Sequence, residues 1–86
     1  MGRLQDYNVV VTGAGRGLGA AAACRFLAEG ARVVLTDLNE ADGAQVAAEL
    51  GPTAHFMPHD VADEASWQTV MAAVASLGPL DILVNN

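Results

Sequence analysis

Four glycines fall within seven residues, at Gly13, Gly15, Gly17 and Gly19, and they constrain this chain more than any other stretch. The β-branched run Val9, Val10 and Val11 before them reads as a buried strand that stops at Thr12. The alanine-rich pattern after them reads as a helix over about 17–29. A strand, a glycine turn and a helix bind phosphate with backbone atoms. The first-turn N–H groups point outward, and the macrodipole places partial positive charge at that end. An anionic pyrophosphate can sit there, and glycines remove the Cβ atoms that would block it while tolerating positive φ. On the residues alone, a turn that only packs a helix onto a strand is the alternative reading.

The rest of the chain repeats the same unit. Strand one covers 7–12. Small residues along the first helix let it approach a sheet closely; Cys24 falls inside it and is expected to be a small buried hydrophobe, and Gly30 ends it. A second strand, 32–36, leads to Asp37. Asn39 then caps a helix whose first turn holds Glu40 and Asp42, whose buried stripe is Gly43, Val46, Ala47 and Leu50, and which stops at Gly51 and Pro52. Strand three is 54–58, followed by a loop at 59–62. Asp63 caps a third helix with Trp67, Val70, Met71, Val74 and Leu77 on its inner face. Strand four is 80–84. The order βαβαβαβ with short connections and right-handed crossovers predicts an α/β fold, a Rossmann-type doubly wound parallel sheet of strand order 3-2-1-4. Its ligand crevice lies at the switch point between strands one and four, above the glycine loop. At 86 residues the chain supplies one small domain, expected to be a partial sheet.

The strict G-x-G-x-x-G fingerprint is absent. Counted from Gly13 its last position is Leu18, and counted from Gly15 it is Ala20, which fits only the looser Gly/Ala ending. Thr12, Gly13, Gly17 and Gly19 match T-G-x-x-x-G-x-G instead, and on this motif the chain resembles the short-chain dehydrogenase/reductase superfamily.

Three further segments stand in the order of that family. Asp37 ends strand two, 18 residues after Gly19. In a dinucleotide fold a carboxylate there accepts hydrogen bonds from the adenosine ribose and repels a 2′-phosphate, so NAD is expected over NADP. A turn aspartate bonded to nearby backbone is the alternative. Arg16, inside the glycine loop, could meet a 2′-phosphate and pulls the other way; Asp37 is given the greater weight. Asp60 and Val61 resemble the family's D-V segment, which lies against the adenine, with an Asx-turn as the alternative. Asn85 and Asn86 look like the start of its N-N-A-G segment. The resemblance implies cofactor contacts from Gly13, Gly15, Arg16, Gly17, Leu18 and Gly19 in the loop. Asp37 and Leu38 after strand two, Asp60 and Val61 after strand three, and Asn85 after strand four complete the set.

The resemblance covers essentially the whole chain and is strongest towards NAD-dependent secondary-alcohol and hydroxysteroid dehydrogenases. It implies an NAD(H)-binding N-terminal half-domain over 1–86 that continues beyond Asn86. The full enzyme would transfer hydride between a secondary alcohol or ketone and the cofactor, and a homo-oligomer is compatible with it. The family's chemistry uses a Ser and a Tyr-x-x-x-Lys pair. Here Tyr7 is the only tyrosine, Val11 stands four residues on, and the sequence has no lysine; Ser66 and Ser76 have no partner base. No catalytic residue is assigned, and the chain alone is expected to be inactive. His55 and His59 lack a convergent third ligand, so no metal site is assigned and structural histidines are expected.

Composition narrows the partners. A net charge of −6 argues against nucleic acid and anionic membranes, but not against a dinucleotide held by backbone N–H groups. The single cysteine excludes a disulfide framework, which makes a reducing cytoplasm the expected compartment. Residues 1–8 hold no apolar h-region and no run reaches transmembrane length. Two competing readings are a non-catalytic nucleotide-binding or regulatory module, and a methyltransferase-type nucleotide fold. Loops of the latter more often carry an acidic residue where Thr12 stands.

Overall fold

A computed structural model describes residues 4–15 and 17–85. Its elements are β1 (Asn8–Thr12), α1 (Gly17–Ala28), β2 (Arg32–Asp37), α2 (Glu40–Leu50), β3 (Ala54–Pro58), α3 (Glu64–Ala75) and β4 (Ile82–Val84). The sheet has the predicted order β3-β2-β1-β4, and every pairing is parallel. Val10 sits opposite Val34 and Leu83, which places β1 at the centre.

Alternation along the strands sends side chains to both faces, and both faces are covered. Val9, Val11, Val33 and Leu35 pack with Ala23, and Phe26 and Leu27 of α1 and Val46 and Ala47 of α2 lie against them. Val10 and Val34 pack with Val70 and Val74 of α3, joined by Met57 and Met71. The β-branched runs of β1 and β2 are therefore nearly continuous apolar strands because helices cover each face. Caps fix the helix starts: Asn39 accepts from the Asp42 N–H and Asp63 from the Ala65 N–H.

The structure departs from the sequence reading in several places, beginning with Tyr7, which is exposed and lies ahead of β1. Cys24 is exposed rather than buried. The buried residues of α1 are Gly19 and Ala23, and Cys24 is rotated about 100° from Ala23, off the sheet-facing stripe. Leu77 is exposed, because α3 ends at Ala75. β4 begins at Ile82 and not at residue 80. A carboxylate oxygen of Asp81 accepts the Asn8 N–H at 2.8 Å, and the Asn8 side chain donates to the Pro79 carbonyl at 3.0 Å. The Asp81 N–H also donates to the Asn8 carbonyl at 3.0 Å, so one backbone bond is kept here beside the side-chain contacts.

The seat of α2 on β3 depends on Gly43. A Cβ built there would overlap the Phe56 ring. Gly43→Ala is expected to lower the unfolding free energy by about 1–3 kcal/mol in a urea titration, the usual cost of overpacking. Unchanged stability would show that α2 can move off the sheet.

Candidate functional site

The carboxyl ends of β1, β2 and β3 meet at one rim, and Asp37 ties them together. Its Oδ2 accepts the Gly15 N–H at 2.8 Å, and its Oδ1 accepts the Asn39 N–H at 2.8 Å. Its main-chain oxygen accepts the His59 N–H at 3.0 Å, while the neighbouring Thr36 carbonyl accepts the Ala14 N–H at 3.0 Å. The backbone-bonding alternative for Asp37 is therefore realised. It does not exhaust the carboxylate, whose two oxygens offer about four acceptor sites.

The glycine loop is shaped by this contact. A Cβ on Gly15 would lie 2.7 Å from Asp37 Oδ2 and 3.1 Å from the Asp42 Cβ, so only glycine lets the loop reach the carboxylate. Gly13 and Gly17 have φ of 62° and 63°, which L side chains rarely adopt. Gly17 opens α1, and a Cβ there would meet nothing within 4 Å. Gly19 is buried against the sheet. The start of a 12-residue helix is thus left open in front of the turn. Arg16 lies outside the described residues, as does Asn86.

Each rim segment also presents an apolar side chain to solvent. Leu18 is 82% exposed, Leu38 72% and Val61 54%. At the end of β4, Asn85 is exposed and its Oδ1 accepts from the Thr12 hydroxyl at 3.2 Å; that hydroxyl also lies 3.3 Å from the Val84 carbonyl. A recess of about 340 Å³ opens beside Gly15, lined also by Asp42, Gln45, Val46 and Glu49.

The 60–61 segment is held by side chains that the sequence reading did not connect to it. Asp60 Oδ1 accepts the Ala62 N–H at 2.9 Å, forming the Asx-turn, the alternative reading of this segment. The Asp60 N–H donates to Ser66 Oγ at 3.1 Å, and Trp67 Nε1–H donates to the Val61 carbonyl at 2.9 Å. His59 is buried, with Nδ1 2.9 Å from Thr36 Oγ1 and its ring edge-on to Trp67 at 4.2 Å. Its Nε2 has no hydrogen-bond partner among the described residues. The fixed spacing of Ser66 and Trp67 to Asp63 marks them as first-turn residues of α3, but nothing in the sequence says which backbone they reach. His55 is exposed, and no group of three or more His, Cys, Asp or Glu that could hold a metal ion comes together among the described residues.

Burial lowers the pKa of His59 below 6.5, opposed in part by the Asp60 carboxylate. The folded state therefore binds fewer protons than the unfolded state between the lowered value and 6.5. His59 costs no stability above pH 6.5, and stability falls as the pH drops from there towards the lower folded-state value. A pH series of denaturation curves is expected to show that decline in the wild type and a flatter profile in His59→Asn. Identical profiles would contradict a neutral, buried imidazole.

The geometry matches that of known proteins. The family model described as short chain dehydrogenase matches residues 7–86. The chain is 51% identical to 3-beta-hydroxysteroid dehydrogenase of Comamonas testosteroni, over 98% of this chain and 34% of that one. It is 42% identical to galactitol 2-dehydrogenase of Agrobacterium fabrum, over 98% of this chain and 33% of that one. It is 45% identical to L-fucose dehydrogenase of Rattus norvegicus, over 100% of this chain and 32% of that one. The crystal structure of 3-ketoacyl-(acyl-carrier-protein) reductase from Brucella melitensis, complexed with NADH, superposes with a TM-score of 0.87 at 38% identity, covering 93% of this chain and 33% of that one. The chain spans about a third of the length of the curated relatives it matches. With the glycine turn, the Asp37 tie and the 3-2-1-4 sheet in place, and with the family model covering nearly every residue, this chain belongs to the short-chain dehydrogenase family.

Proposed function

We propose that this chain holds the adenosine–pyrophosphate part of a nicotinamide dinucleotide, NAD(H) in preference to NADP(H), in an oxidoreductase acting on a secondary alcohol or ketone. The observation that carries the reading is the Asp37 carboxylate, fixed 2.8 Å from the Gly15 N–H beside the open start of α1. The remaining acceptor sites of that carboxylate suit the two ribose hydroxyls, and the first-turn amides of α1 suit the pyrophosphate. Leu38 and Val61 offer apolar contacts on the two sides of an adenine, and Asp60 offers an acceptor for its amino group. Gly13, Gly17, Leu18, Gly19 and Asn85 line the rest of the path, and Arg16 belongs to it by sequence.

A 2′-phosphate would enter beside Asp37 and the recess that Asp42 and Glu49 line. Concentrated negative charge there disfavours NADP(H). The NADH bound in the Brucella reductase supports a nicotinamide dinucleotide as the cofactor, and the dehydrogenase relatives support an oxidoreductase. The dinucleotide supplies the hydride chemistry. The residues of this chain bind and orient it. Tyr7, the sole tyrosine of this sequence, precedes β1 at the end opposite the glycine turn, and no residue here is assigned to proton transfer.

Isothermal titration of the full-length polypeptide tests the assignment. Asp37→Ala is expected to raise the Kd for NADH by about 10-fold or more, the effect of losing hydrogen bonds to a charged group, and to narrow the preference over NADPH. An unchanged Kd and an unchanged preference would overturn the role of Asp37.

A further inference from the structure

We propose that Ser66 and Trp67 of α3 are positioning residues that hold the backbone of residues 60–61 in the conformation required for the adenine side of the cofactor. This rests on the cofactor reading above and adds residues to it that make no contact with the dinucleotide themselves.

The segment is gripped at both ends. Ser66 Oγ takes the Asp60 N–H at 3.1 Å, and Trp67 Nε1 gives its proton to the Val61 carbonyl at 2.9 Å. Asp60 and Val61 are exposed, so burial does not set their orientation; these two side chains add to the turn's own bonds, from the Ala62 N–H to Asp60 Oδ1 at 2.9 Å and from the Asp63 N–H to the Asp60 carbonyl at 3.0 Å. The grip is anchored to the sheet. The Trp67 ring meets the buried His59 ring edge-on, with centroids 4.2 Å apart and planes at 85°. His59 Nδ1 is bonded to Thr36 Oγ1 at 2.9 Å, and the His59 N–H to the Asp37 carbonyl at 3.0 Å. A continuous set of contacts thus runs from Val61 through Trp67 and His59 to residues 36 and 37. The residue proposed to meet the ribose and the segment proposed to meet the adenine are fixed relative to one another. An exposed loop ordered before binding loses less conformational freedom when the ligand arrives, which is the source of the expected affinity.

The test uses the full-length polypeptide and ADP-ribose, which carries the adenosine side and lacks the nicotinamide. Trp67→Phe keeps an aromatic ring against His59 and removes only the Nε1 donor. Ser66→Ala removes the acceptor at a half-buried helix position where alanine is a good helix former. Each is expected to raise the Kd of ADP-ribose by about five-fold, the cost of ordering a freed segment on binding, and to lower Tm by about 4 °C at most, since each bond is also made in the free protein. The Trp67 indole N–H resonance, identified by its loss in Trp67→Phe, is expected to shift in the wild type on saturation with ADP-ribose. Wild-type binding with unchanged affinity in both variants, or with an indole resonance that stays fixed, overturns this proposal alone. A wild type that does not bind ADP-ribose overturns the cofactor reading and this proposal with it.

Discussion

The carboxylate of Asp37, held between the Gly15 and Asn39 amides, is the contact on which the rim of this molecule depends. Hydrogen bonds to an ionised acceptor contribute more than neutral ones, about 1.5–3 kcal/mol each. Here they do two structural jobs. One draws the turn after β1 against the end of β2, close enough that a Cβ on Gly15 would collide with the acceptor. The other turns the chain out of β2 so that Asn39 can cap α2. The same residue's carbonyl receives His59 and so fixes the exit from β3. Three loops are thereby set by one strand end.

That arrangement depends in turn on the sheet below it. β1 and β2 are buried on both faces, with α1 and α2 over one and α3 over the other. Parallel strands send all their carboxyl ends the same way, so the loops that carry the glycines, Asp37 and Asp60 emerge side by side. The function proposed for this rim calls for no unusual side chain: it would use backbone amides at a helix start, one fixed carboxylate, and the solvent-exposed Leu38 and Val61.

Much of this was legible in the sequence because it is local. Glycine spacing, the capping residues Asn39 and Asp63, the periodic stripes of α2 and α3, and the βαβ order each follow from neighbours within about ten residues. The strand order follows from that alternation. What was not legible arises from contacts between distant segments. Ahead of β4, Asp81 meets Asn8, 73 residues away, through its backbone N–H and its carboxylate together. The sequence assigned Trp67 to a buried stripe, whereas its indole N–H reaches the Val61 carbonyl while its ring packs on His59. The Thr36–His59 bond crosses 23 residues between adjacent strand ends. Cys24 misled for a different reason: a helix made mostly of alanine gives little contrast between its inner and outer faces.

The central claim is that the rim formed by the ends of β1, β2 and β3 receives the adenosine side of a nicotinamide dinucleotide. Mapping backbone amide chemical shifts during an ADP-ribose titration tests it most directly. The account predicts that the largest shifts fall on Gly15, Gly17, Leu18, Leu38 and Val61. Shifts confined to the other end of the sheet, around Gly30, Gly51 and Leu80, would contradict it.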